Sequence, residues 1–224
     1  MQLEIERLLA MNRAAYTAVR ESFRLGMTEK DVEQLILDAY RRVAGDSFTF
    51  CGDIVGGKRS ADIEGGATDY VLQTGDALIL DLQPQIDGVF CDTTRTFFVG
   101  EPGDAVRAVY GAVKNTLLRL EKQLHSGVQA CTLYTEMQNS LRGYGHSCPH
   151  HAGHGIGRNR EIRPEFLPEV SETVIAGEVV ALEPGVYQED GFGIRLENNY
   201  LITLHGGQPL FDYSLDIDDF VLGG

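Results

Sequence analysis

The sequence has no excess of positive charge, no CxxC pair and no long apolar run. Its 19 Lys and Arg stand against 33 Asp and Glu, for a formal net charge of −14. Gripping nucleic acid through its phosphates requires a basic face, so that class of partner is excluded. The four cysteines, Cys51, Cys91, Cys131 and Cys148, form no close pair of the kind that marks a zinc or redox motif. Cys51 and Cys91 fall in strand-like apolar stretches and are expected as buried thiols in a reducing cytoplasm. No apolar stretch approaches the roughly 18 residues of a membrane span. The opening MQLEIERLLAMNRAAY is acidic and amphipathic, unlike a signal peptide. The GGKRS stretch beginning at Gly56 lacks the GxxxxGK[ST] spacing of a phosphate loop. The expectation is a cytoplasmic protein that binds neither membrane nor nucleic acid. At 224 residues and 43% hydrophobic the chain can bury a substantial core, and residues 1–224 are read as one domain.

What is present centres on GDALILDLQPQIDGVFCDTTRT, Gly75 to Thr96. Two strand-like runs flank Asp87-Gly88, a strong two-residue hairpin signal because glycine tolerates positive φ. With that loop Ile86 pairs with Val89, and Asp81 falls opposite Thr94. Residues two apart on a strand share a face, so Asp81 and Asp92 are diagonal neighbours on the same side. Two acids on an exposed strand face would be unremarked by themselves. The pattern, however, occurs twice. Asp81 lies six residues after Gly75 and Asp92 four after Gly88; Glu183 lies six after Gly177 and Glu197 four after Gly193. Glu183 and Glu197 share a face only if the second hairpin has a three-residue loop, Glu189 to Gly191, or a bulge. Such a pair of facing hairpins brings four carboxylates into one cleft. They repel one another unless a proton or a cation sits between them, which points to hard divalent cations.

The remaining pattern supports a duplicated helix-helix-hairpin unit. Leu3 to Leu25 reads as a helix stopped by Gly26, and Thr28-x-x-Asp31 as a capping box opening a second. Phe48 to Val55 reads as a strand, and 56–68 as a glycine-rich loop forming a cleft wall. Asp104 can cap a long apolar-striped helix, followed by a shorter one over about Leu133 to Leu141. SCPHHAGHGIGRNRE is a loop or irregular strand holding three histidines within five residues, His150, His151 and His154. In glycine-rich backbone such a cluster more often marks a site than a packing role. The acidic terminal SLDIDDFVL is expected along a sheet edge.

Asp81 and Asp92-Thr-x-Arg95, His154-Gly-Ile-Gly157, Glu183-Pro-Gly and Arg195-x-Glu197-Asn together resemble the pita-bread metallopeptidases. That family includes methionine aminopeptidase, Xaa-Pro aminopeptidase, prolidase and the metal-free creatinase. The resemblance spans essentially the whole chain, corresponds to the catalytic domain alone and implies an α+β pita-bread fold with a curved antiparallel sheet. It also implies two divalent ions: Asp81 on one, Asp92 and Glu197 bridging both, and His154 with Glu183 on the second. The oxygen-rich set favours Mn²⁺, with Co²⁺, Fe²⁺ and Zn²⁺ as alternatives. Glu183 is the candidate proton shuttle, while His150 and Arg195 match the Pro-His and arginine of the Xaa-Pro branch.

Two family histidines are missing. No histidine precedes His125, so the one upstream of the first aspartate is absent, and Glu161 stands seven residues after His154 where a second is usual. The leading expectation is a dinuclear-metal hydrolase of amide bonds in small peptides, like an Xaa-Pro aminopeptidase or dipeptidase. The alternatives are a non-peptide C–N hydrolase, which Glu161 would suit by favouring a cationic or NH-rich substrate, and a pita-bread binding protein that has lost the reaction. A homodimer is compatible with the sequence.

Overall fold

The computed structural model describes residues 2–158, 162–189 and 191–223. The amphipathic N-terminal stretch forms α1 (Gln2–Ser22), which buries Ile5, Leu8, Asn12, Ala15, Tyr16 and Val19 at helical spacing. The Thr28 side chain and the Asp31 carboxylate cap each other's backbone at the start of α2 (Glu29–Ala44), the expected capping box. Strands β1 (Thr49–Cys51) and β2 (Ile54–Gly56) follow. They are one run in a single register against β3 (Ala77–Ile86), interrupted in its regular ladder only at Gly52-Asp53. There Asp53 and Asp81 exchange backbone hydrogen bonds at 3.1 and 2.9 Å. The cleft wall expected over 56–68 includes a 3₁₀ turn, Gly57–Ala61.

β3 turns through Asp87 and Gly88, both at positive φ, into β4 (Val89–Phe90) and β5 (Thr93–Val99). Ile86 pairs with Val89 and Asp81 with Thr94, as expected. The unit then repeats. α3 (Asp104–Glu121) begins after Gly103, so Asp104 stands in the first turn and is not the cap. α4 (Ala130–Gly143) starts three residues earlier than the periodicity suggested, because Ala130 is itself buried and extends the apolar face. β6 (Gly153–Ile156), β7 (Val179–Leu182), β8 (Gly185–Tyr187), β9 (Gly193–Arg195), β10 (Asn198–Thr203) and β11 (Gly206–Pro209) complete the second half. The register of β8 with β9 continues that of β7 with β10, which sets Glu183 opposite Glu197 across the gap between them. This is the parity of the three-residue loop; Asp190 within it lies outside the described residues.

The order β1-β3-β5-β12 defines one sheet, with β2 and β4 also on β3, where β12 (Val221–Leu222) runs parallel along the β5 edge. A second sheet runs β11-β10-β7-β6, and β8-β9 stands as a third. One buried apolar cluster runs from Ile5 to Leu222. Cys51 corrects an expectation: it is exposed, since β1 is an edge strand with alternate residues facing out, whereas Cys91 is buried. All four thiols are free, and among the described residues no helix is long and apolar enough to cross a membrane.

Gly52 permits the Asp53–Asp81 backbone exchange, because a Cβ there would collide with the Asp81 carbonyl oxygen. Gly52→Ala is therefore expected to cost about 1–3 kcal/mol of stability through overpacking, read by urea unfolding. A loss below about 0.5 kcal/mol, the range of an ordinary surface change, would mean that the strand accommodates the methyl group.

Candidate metal centre

The two halves meet where β5 faces the segment from Arg195 to Asn199. The Glu197 amide donates to the Thr94 carbonyl at 3.0 Å, and Thr94 Oγ1 donates to Glu197 Oε2 at 2.8 Å. Thr96 Oγ1 donates to the Arg195 carbonyl at 2.9 Å, while the Asp92 amide donates to Asn199 Oδ1 at 3.2 Å. Arg95 is fully buried and donates to the carbonyls of Thr94 and Glu197 and to Asn198 Oδ1. These bonds set the position of Glu197 relative to Asp92.

Asp81, Asp92, His154 and Glu183 line a cavity of about 700 Å³, a volume suited to a small ligand. Asp81, Asp92, His154, Glu183 and Glu197 are each no more than 8% exposed, so their charges are largely desolvated. The His154 Nδ1–H donates to the Gly155 carbonyl at 2.8 Å, which fixes the ring and turns Nε2 toward the acids. That nitrogen faces Asp92 Oδ2 at 3.4 Å, Glu183 Oε1 at 3.5 Å and Glu197 Oε1 at 3.9 Å. Three buried carboxylates gathered around one nitrogen repel one another unless a proton or cation lies among them. Asp92 Oδ1, Glu183 Oε1 and Glu197 Oε1 are buried with no hydrogen-bond partner among the described residues. Asp92, His154 and Glu197 bring ligand atoms within 4.8 Å of one another, as a cation site requires. The residues fit a divalent metal.

Asp81 stands on the other side of this group. Its Oδ2 accepts from Arg195 Nη2 at 2.7 Å, and the same nitrogen donates to Asp53 Oδ2 at 3.0 Å. Arg195 Nη1 donates to the Tyr187 hydroxyl at 2.9 Å, and Tyr187 in turn donates to His150 Nε2 at 2.9 Å. His150 Nδ1 donates to the His151 carbonyl at 2.8 Å. His150 is thus held at both nitrogens, and burial pushes its pKa below the ordinary value. All expected site residues therefore lie around this cavity or its edge; Glu161 lies outside the described residues. Asp53, Tyr187, Thr94 and His151 were not expected as participants. Only His151 had a signal in the sequence, as one of three clustered histidines.

A family model described as Metallopeptidase family M24 matches residues 4–204. The chain belongs to that family. Among curated M24 relatives it is 30% identical over 177 residues to an uncharacterized peptidase of Bacillus subtilis, covering 78% of this chain and 50% of that one. It is 29% identical over 209 residues to a Pyrococcus furiosus Xaa-Pro dipeptidase, covering 92% and 60%. The crystal structure of the X-Pro aminopeptidase from Thermotoga maritima superposes with a TM-score of 0.92 at 28% identity, covering 98% of this chain and 62% of that one. The pita-bread α+β fold is thereby established, and the chain spans about half to three-fifths of these curated relatives.

In the metal-free M24 chain, burial first and then Asp81 raise Asp92 well above the carboxylate range, and burial and then Asp92 do the same to Glu197. Burial alone would raise Glu183 too, but His151, His154 and His150 outweigh it and hold it at about 2. Acids raised in the folded state bind protons that the unfolded chain has already released. The stability they contribute is complete below the ordinary values of 3.8 and 4.5 and declines as pH rises toward the raised ones. Chelator-treated protein is accordingly expected to lose thermal stability as pH rises above 4.5, with a shallower slope in Glu197→Gln. Equal slopes in the two proteins would contradict this assignment. The Glu183 contribution lies below 4.5 and runs in the opposite direction.

Proposed function

We propose that this chain is a dinuclear-metal hydrolase of amide bonds in small peptides, with Xaa-Pro peptides as the favoured substrates. The convergence of Asp92, Glu183 and Glu197 oxygens on His154 Nε2 carries this reading. Asp81 would hold one ion, Asp92 and Glu197 would bridge, and His154 with Glu183 would hold the other. The mainly oxygen donor set suits Mn²⁺. A bound pair of divalent ions supplies Lewis acidity and lowers the pKa of a water between them. Glu183 is kept ionised by its histidine neighbours and can accept a proton at a carboxylate oxygen and pass it to the leaving amine. Arg195 fixes Asp81 and, through Tyr187, orients His150 at the cavity wall.

A second reading, a non-peptide C–N hydrolase, draws support from the acid that Glu64 adds to the cavity wall. Such a wall suits a substrate with a cationic or NH-rich group. Turnover of Xaa-Pro dipeptides and of non-peptide amides in one assay separates the two. Removing metal with EDTA should abolish activity and adding Mn²⁺ should restore it; activity indifferent to the chelator would rule out both. Protein that binds metal but turns over no substrate of either kind would support a binding role on the same fold.

Asp92→Asn removes one charge and one strong oxygen ligand while nearly preserving shape. It is expected to lose at least one metal per chain by elemental analysis, with circular dichroism unchanged. Equal metal content in variant and wild type would remove Asp92 from the metal-binding set.

A further inference from the structure

The function proposed above uses His150 and His154 and leaves His151 without a role. His151 Nδ1 lies 3.1 Å from Glu183 Oε1, yet the two atoms are not aligned as a hydrogen bond. Both are buried and neither has another partner. Glu183 Oε1 is in turn 3.5 Å from His154 Nε2, so one carboxylate oxygen sits between two imidazoles. The His151 and His154 ring centres are 5.7 Å apart. Two atoms each about 2.0–2.1 Å from one zinc ion stand roughly 3–3.5 Å apart. The two spacings to Glu183 Oε1 fall in that range. His150 faces the same carboxylate, but its nitrogens are committed to Tyr187 and to the His151 carbonyl, so it is not free to ligate.

We infer that His151 is an additional metal ligand, joining His154 and Glu183 on one of the two ions and making that position selective for Zn²⁺ over Mn²⁺. The inference rests on the dinuclear reading above. Imidazole nitrogen suits zinc, whereas carboxylate and water oxygens suit manganese, so a second nitrogen tilts the choice at that position alone. A competing role is purely positional: His151 could donate a hydrogen bond that fixes the Glu183 rotamer. The two roles diverge on replacement by asparagine, whose amide can still donate from about the position of Nδ1 but is a poor zinc ligand.

The chain, stripped with chelator, is titrated calorimetrically with Zn²⁺ alone and with Mn²⁺ alone, as wild type, His151→Ala and His151→Asn. Circular dichroism controls for folding, and His151 is exposed enough at its edge for both variants to fold. The expected result is a loss of at least about tenfold in zinc affinity for both variants, comparable to removing even an outer partner of a metal ligand. Manganese affinity should change by less than about threefold, because its oxygen donors remain. The ligand role is overturned by an unchanged zinc isotherm in His151→Ala, by recovery in His151→Asn, or by equal loss of both metals. Wild type that binds neither ion would instead defeat the dinuclear reading, and this inference with it.

Discussion

Three buried carboxylates gathered around the Nε2 of one imidazole are the constraint on which the rest of the site depends. A buried ion left uncompensated costs several kcal/mol, so the surrounding structure must supply counter-charge or leave room for it. For Asp81 the counter-charge is built in, as the guanidinium of Arg195 at 2.7 Å. Glu197 receives one hydroxyl, from Thr94. Among the described residues Asp92 Oδ1, Glu183 Oε1 and Glu197 Oε1 are buried with no hydrogen bond. Glu183 has the His151 imidazole beside it at 3.1 Å, whereas Asp92 and Glu197 face only His154, an arrangement that a cation would complete.

The fold delivers these groups by pairing two copies of one unit. Each copy contributes two helices that cover a sheet face and a strand pair that carries two acids. Neither copy holds the centre alone, because Asp92 and Glu197 come from opposite halves. Their relative position rests on hydroxyl, amide and guanidinium bonds between β5 and residues 195–199. Arg95 is notable here: its acceptors are carbonyls and an amide, with Phe211 and Tyr213 rings near its guanidinium. It therefore adds positive charge close to the carboxylates without neutralising any of them directly.

Much of this was legible in the sequence because it follows from short-range rules. The positive φ of Asp87 and Gly88 set the first hairpin, and strand parity then placed Asp81 opposite Thr94. The same parity argument required a three-residue second loop or a bulge, and the β8–β9 register has the parity of the three-residue loop. The parts not foreseen are those with no local signature. Asp53 meets Asp81 only because β1 and β2 run beside β3, and Tyr187 bridges His150 and Arg195 only once the β8–β9 hairpin has formed beside the loop that carries His150. Cys51 was misjudged because an apolar run does not reveal whether its strand lies at an edge.

The most direct measurement is the anomalous difference density of a crystal soaked in Mn²⁺. Two peaks are predicted, both contacting Asp92 and Glu197, with Asp81 on one and His154 and Glu183 on the other. A single peak, or peaks that avoid Asp92 and Glu197, would contradict the claim that these carboxylates exist to hold two ions.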